Sequence, residues 1–217
     1  MGDTAEFDLD QTDRLLTTTK QVRKRLDLSR PVPRELLLEC IDIAQHAPMG
    51  GNLERNRWVV IDDRELIGSI AEYYVRVGGP YLAQNETDDL GEGQRRVIDS
   101  AKFLVDHIAE VPALVLALRL DRLPAGASNM EVASYHGSVA PGVWSFQLAA
   151  RSRGLGSAWT TFTLAHETEV AELLGIPDTV TQVALLPVGF YTGSSFTPAR
   201  RRPAREITYF NRWKQTI

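Results

Sequence analysis

The chain has 217 residues, 43% hydrophobic and 24% charged, a balance that fits one globular domain and excludes global disorder. A net charge of −4 gives no reason to expect nucleic acid as a partner. The lone Cys40 cannot close an internal disulfide, so the composition fits a reducing, cytoplasmic setting.

Residues 1–13 read as a loose acidic lead to a single domain over 14–217. They lack the basic-then-apolar layout of a signal peptide, and Glu6 stands where a myristoylation motif wants Ser or Thr. No apolar run reaches the roughly 18–20 residues that span a bilayer, so no membrane partner is expected. Pro31 and Pro33 set up a helix start, with Ser29 as its expected cap. Leu37, Ile41 and Ala44 recur at helical spacing, Cys40 sits among them as a packing residue, and Pro48 ends the helix. Met49-Gly50-Gly51-Asn52 is a backbone-rich loop before a strand at 58–61. A helix runs through Val75 and breaks at Gly79-Pro80, and the polar, acidic stretch 84–96 reads as a mobile loop.

A helix over 97–108 leads to the apolar run 113–118, patterned as a fully buried strand. After a loop at 121–130, the longest helix is expected over 139–153, with Val143, Phe146, Gln147 and Ala150 on one face and Gly154 as its C-terminal cap. A short strand at 158–161, a helix at 166–174 closed by Gly175-Ile176-Pro177, and an apolar strand at 183–190 follow. The tail is rich in Arg and Pro and carries Tyr209, Phe210 and Trp213 near its end. Alternating strands and helices give an α+β or α/β class.

The chain contains no Gly-x-Ser-x-Gly elbow, no His-Glu-x-x-His and no phosphate-binding Gly-Lys-Ser/Thr loop. His46, His107, His136 and His166 lack metal-ligand spacing and read as surface or capping residues. Gly154-Leu155-Gly156 starts like a dinucleotide fingerprint, but Trp159 replaces its last glycine and a helix precedes it. Two basic clusters remain, Lys20-Gln21-Val22-Arg23-Lys24-Arg25 and Arg200-Arg201-Arg202. Singly, each reads as a solvated charged face; together they have the donors that a phosphate dianion needs. The loop at 49–52 is either a plain turn or a close backbone approach to a flat ligand. The segment 154–161 is either a tight connection or a set of main-chain groups and Thr hydroxyls facing a ring. Pattern alone leaves these choices open.

Taken in order, Lys20-Gln21-Val22-Arg23, Pro31-Val32-Pro33, Ala47-Pro48-Met49-Gly50-Gly51-Asn52, Gly154-Leu155-Gly156-Ser157-Ala158-Trp159-Thr160-Thr161, Leu174-Gly175-Ile176-Pro177, Pro187-Val188-Gly189 and Pro198-Ala199-Arg200-Arg201-Arg202-Pro203 resemble the FMN-dependent nitroreductases. The resemblance runs from about residue 14 to 213. It implies an α+β fold, an α/β/α sandwich around a mainly antiparallel sheet, built as an intertwined homodimer with FMN at the subunit interface. By position, Lys20, Gln21 and Arg23 approach the phosphate and ribityl chain, and Arg200 and Arg202 close on the phosphate. Met49, Gly50 and Asn52 line the ring from the opposite subunit, Ala158, Trp159 and Thr160 border its pyrimidine side, and Val139 and Pro141 touch its other end. The aromatic tail at 209–213 embraces the partner.

Three positions depart from the resemblance. Lys20 stands where Arg is common, Gln21 replaces a usual Ser, and Glu54 falls where Gln is frequent. Glu54 either opposes a reduced anionic flavin or pairs with Arg55 or Arg57. The implied activity passes hydride from NAD(P)H through FMN to a small electron-poor acceptor such as a nitroaromatic or quinone, with no protein acid or base and no metal. Alternatives are oxidation of a natural-product intermediate, FMN carriage without a redox substrate, and an Arg-tailed protein binding an acidic partner. Specificity is expected in residues 76–96 and 121–135, read as loops.

Overall fold

The computed structural model describes residues 6–87 and 89–216, which divide into two compact units. One pairs 6–19 with 195–216; the other is Lys20–Ser194.

The smaller unit holds α1 (Leu9–Thr18), so residues 9–13 are helical where a loose lead was expected. Asp8 caps α1 by accepting the Gln11 N–H at 3.0 Å. In the tail, the Tyr209 and Trp213 rings meet edge to face with centroids 4.8 Å apart.

The larger unit contains the whole sheet. Its elements are α2 (Arg34–Gln45), β1 (Asn56–Ile61), α3 (Arg64–Asn85), α4 (Glu92–His107), β2 (Ala113–Arg119), α5 (Asn129–Ser152), β3 (Leu155–Ser157), α6 (Glu167–Leu174) and β4 (Thr181–Phe190). A last short helix, α7 (Ala204–Ile207), belongs to the smaller unit. The four strands are ordered β1-β2-β4-β3 and every pairing is antiparallel. The fold class is therefore α+β. Every residue of β2 is buried, because it is central in the sheet and covered on both faces. Ala113, Val115 and Ala117 join a core with Leu37, Cys40 and Ala44 of α2 and Val143, Phe146 and Ala150 of α5. Burial pushes the Cys40 thiol up to about 11, which keeps it protonated and inert.

Four expectations are corrected. Ser29 does not cap α2: Pro33 occupies the N-cap, and Ser29 instead donates to Asp27 at 2.7 Å. The helix expected to break at Gly79-Pro80 continues to Asn85, with Tyr74 and Leu82 buried on either side of the proline. Tertiary packing outweighs the lost backbone bond there. Residues 84–96 are not one loop, since α3 ends at Asn85 and α4 starts at Glu92. Finally, α5 begins ten residues earlier than expected, at a capping box in which Ser128 and Glu131 satisfy each other's backbone N–H.

Candidate functional site

The segment 20–27 is laid along the β3 end of the sheet by backbone bonds. The Val22 N–H donates to the Ser157 carbonyl at 2.8 Å, and the Asp27 N–H donates to the Phe190 carbonyl at 2.7 Å. Gly156 is required at this crossing, because a Cβ there would stand 2.8 Å from Val22 Cγ1.

Two of the four cations have structural partners. Lys24 pairs with Asp99 of α4, and Arg25 Nε donates to the Thr192 carbonyl at 2.6 Å. The other two, Lys20 and Arg23, face no carboxylate and donate no hydrogen bond among the described residues. Arg23 is partly buried on the wall of a cavity of about 510 Å³ shared with Tyr74, Tyr81 and Asn85 of α3, Val97 of α4, and Trp159. Burial holds its pKa below the ordinary value, partly offset by Tyr74. Burial also pushes the Tyr74 hydroxyl up to about 12, against the opposing effects of Arg23 and a hydrogen bond with Thr160.

A second cavity, of about 420 Å³, is also rich in arginine: Arg55, Arg119 and Arg122. Its cations are neutralised, with Asp121 between Arg55 and Arg119 at 2.5 Å from each and Arg122 bound to Glu167 at 3.1 Å. Burial opposes ionisation of Asp121, but the two arginines outweigh it and hold its pKa below the ordinary value. Arg23, by contrast, has no ion pair among the described residues.

The segment 158–161 offers less than its sequence promised. Ala158 is fully buried, Thr160 Oγ1 donates to the Leu185 carbonyl at 2.7 Å, and the Trp159 N–H is taken by Gln21 Oε1. Trp159, Thr160 and Thr161 still line the Arg23 cavity. Gln147, expected on one helix face with Val143, Phe146 and Ala150, reaches Gln21 Oε1 at 3.3 Å and Ser157 Oγ at 3.1 Å. A lone amide on an otherwise apolar helix face was the available signal for it.

The loop at 49–52 is a 3-10 turn (Gly50–Asn52) in which Gly51 and Asn52 both adopt left-handed backbone, φ 63° and 53°. Asn52 is exposed and its amide makes no hydrogen bond among the described residues. The Gly50 N–H is anchored on Ser138 Oγ of α5 at 3.0 Å, a residue the sequence did not mark. Met49 is partly exposed. Within one chain this loop and Gln21 attach to α5 at positions 138 and 147, about 14 Å apart along the helix. Val139 is buried in the core at 1% exposure, so its side chain is not presented at the surface, while Pro141 inside α5 is partly exposed. Arg200 and Arg202 are exposed in the smaller unit. The expected pairings of Glu54 are not made. Arg55 binds Asp121, and Arg57 donates to the Glu54 backbone carbonyl at 2.9 Å, leaving the carboxylate without an ion pair among the described residues.

Residues 76–85, 92–96 and 129–135 are helical, so the regions expected as specificity loops are largely the ends of α3, α4 and α5. Among the described residues no helix is long and apolar enough to cross a membrane, and no three His, Cys, Asp or Glu side chains gather as a metal site.

The larger unit is thus an α+β fold on an antiparallel sheet, with Arg23, unpaired among the described residues, on the wall of a cavity. The chain belongs to the Nitroreductase family, which it matches over residues 20–190. Among solved structures it is similar to oxidized iodotyrosine deiodinase bound to FMN and 3-iodo-L-tyrosine, at 22% identity, covering 92% of this chain and 98% of that one, with TM-score 0.69. A nitroreductase-like family protein from Bacillus cereus gives 18% identity, 95% and 98% coverage and TM-score 0.66. A BluB-like flavoprotein from Clostridium difficile 630 gives 22% identity, 95% and 100% coverage and TM-score 0.64. At these identities the likeness is one of fold.

Proposed function

We propose that the chain is an FMN-dependent oxidoreductase that moves reducing equivalents from NAD(P)H to a small electron-poor acceptor, such as a nitroaromatic or quinone. The observation that carries this reading is Arg23, unpaired among the described residues, on the wall of a cavity of about 510 Å³ in a member of the Nitroreductase family. Lys20 and Arg23 fit the phosphate end of FMN: they supply charge and directional donors, and no carboxylate among the described residues pairs with them. Bound there, the flavin would supply two-electron redox chemistry at neutral pH.

The chain's own part is binding, orientation and exclusion of water. Lys20, Gln21 and Arg23 hold the phosphate end. Trp159 and Thr160 border the ring, with the backbone at Ala158. Met49, Gly50 and Asn52 line a ring bound mainly to the other copy, with Pro141 and the main chain at Val139 nearby. A separation of about 14 Å between the two anchoring points on α5 supports this sharing across two subunits. So do the exposed apolar residues Leu38, Ile43, Leu53 and Trp144 on or beside α2 and α5. We place the aromatic tail at 209–213 against the partner and the enzyme in the cytoplasm.

Titration of the purified protein with FMN, then anaerobically with NADH and with NADPH, tests the proposal. Binding followed by bleaching of the yellow absorbance is the expected result; no bleaching with either nucleotide overturns it. The unpaired Glu54 carboxylate favours a second reading, oxidation of a small intermediate, because negative charge beside the ring disfavours an anionic reduced flavin. Fast turnover with quinones or nitroaromatics excludes that reading.

A further inference from the structure

Gln147 is 2% exposed on α5, between the core residues Val143, Phe146 and Ala150. A buried amide in apolar surroundings costs stability unless its groups are paired, and this one is only half paired. Its Nε2 donates to Gln21 Oε1 at 3.3 Å and to Ser157 Oγ at 3.1 Å, while its own Oε1 has no partner. Packing alone would be served better by leucine or methionine, so the amide calls for another explanation.

The explanation lies in what Gln147 does to Gln21. The backbone N–H of Trp159 can only donate, so the Gln21 atom facing it is the oxygen. The Gln147 atom facing that oxygen must then be its nitrogen. With Oε1 held by two donors, the amide plane of Gln21 is fixed and its NH2 is turned away from both. That NH2 has no acceptor among the described residues, and it sits in sequence between Lys20 and Arg23, the two unpaired cations.

We infer that Gln147 is a positioning residue, which orients Gln21 so that its NH2 joins Lys20 and Arg23 as a third donor to the FMN phosphate. The inference rests on the proposed flavin binding. It links positions 126 residues apart and gives the Gln21 departure a structural counterpart inside α5.

Affinities for FMN and for riboflavin, which lacks the phosphate, test it by fluorescence titration of the full chain. Gln147→Met and Gln21→Ala are each expected to weaken FMN binding by about three- to tenfold and riboflavin binding by less. The double variant is expected to bind FMN no worse than Gln21→Ala alone, because both changes remove one donor. Equal losses for FMN and riboflavin, no loss, or losses that multiply in the double variant would each overturn the inference. Gln147→Asn, which withdraws the amide from Gln21 while keeping its polarity, carries the same expectations if the methionine variant fails to fold. A wild-type chain that binds neither flavin overturns the proposed function instead.

Discussion

Gly50 donates its backbone N–H to the Ser138 hydroxyl at 3.0 Å, and the same oxygen would stand 2.9 Å from a Cβ built on that glycine. The 49–52 loop is therefore pressed onto α5 at a point where only a hydrogen fits. Gly50→Ala is expected to cost about 1–3 kcal/mol in thermal or urea denaturation by overpacking. The loss should shrink when Ser138→Ala is added, since that removes the clashing oxygen. Equal losses in the two backgrounds would show that the clash is not the cause.

Arg23 links ligand binding to instability of the free protein. Its guanidinium is partly buried with no ion pair among the described residues, so Arg23→Met should leave the melting temperature of the ligand-free chain unchanged or raise it. FMN affinity should fall by roughly ten- to a hundredfold, the worth of one charge-assisted contact, while riboflavin affinity holds. A lower melting temperature together with unchanged FMN affinity would assign Arg23 a structural role only.

Adjacent glycines in α3 should respond unequally. A Cβ at Gly78 would meet Phe162 at 2.8 Å and Val105 at 2.9 Å, whereas one at Gly79 meets nothing within 4 Å. Gly78→Ala is expected to destabilise by about 1–3 kcal/mol despite alanine's better helix propensity. Gly79→Ala is expected to change stability by less than about 1 kcal/mol, because alanine's better helix propensity is offset by its Cβ meeting the ring of the following Pro80. Urea midpoints of the two variants check the pair.

Asp121 sets part of the acid limit. Its folded pKa lies below the ordinary value of 3.8, so it stabilises the fold fully above that pH. The contribution disappears as pH falls from 3.8 through the lower folded value. Asp121→Asn should lower stability at neutral pH and flatten the fall in stability over that window. A variant with the wild-type acid profile would place the titration elsewhere.

The parts of the fold legible in sequence were those set by local pattern. The run around Leu114 and Leu116 reads as a buried strand because every position is apolar, and Gly154 and Gly175 end their helices in the left-handed backbone expected of them. Gly79-Pro80 misled because a local breaker was overruled by distant packing of Gly78 on Phe162. The start of α5 is legible in the spacing of Ser128 and Glu131, which is that of a capping box. At the site, chain order pointed to Lys20 and Arg23, but not to which cations of the cluster are already paired. That depends on Asp99 and Thr192, contacts only the folded chain reveals. Gln147 was hidden for the same reason, its partner being 126 positions away.

The backbone clasp between Val22 and Ser157 has one more consequence. β3 is a short border strand, and an uncovered border offers free carbonyls to any passing chain. Because the segment that carries Arg23 also lies over that border, loosening it to alter ligand affinity would strip away a guard against strand-to-strand polymerisation. Variants weakened at Val22 should cloud on storage before they lose their helices.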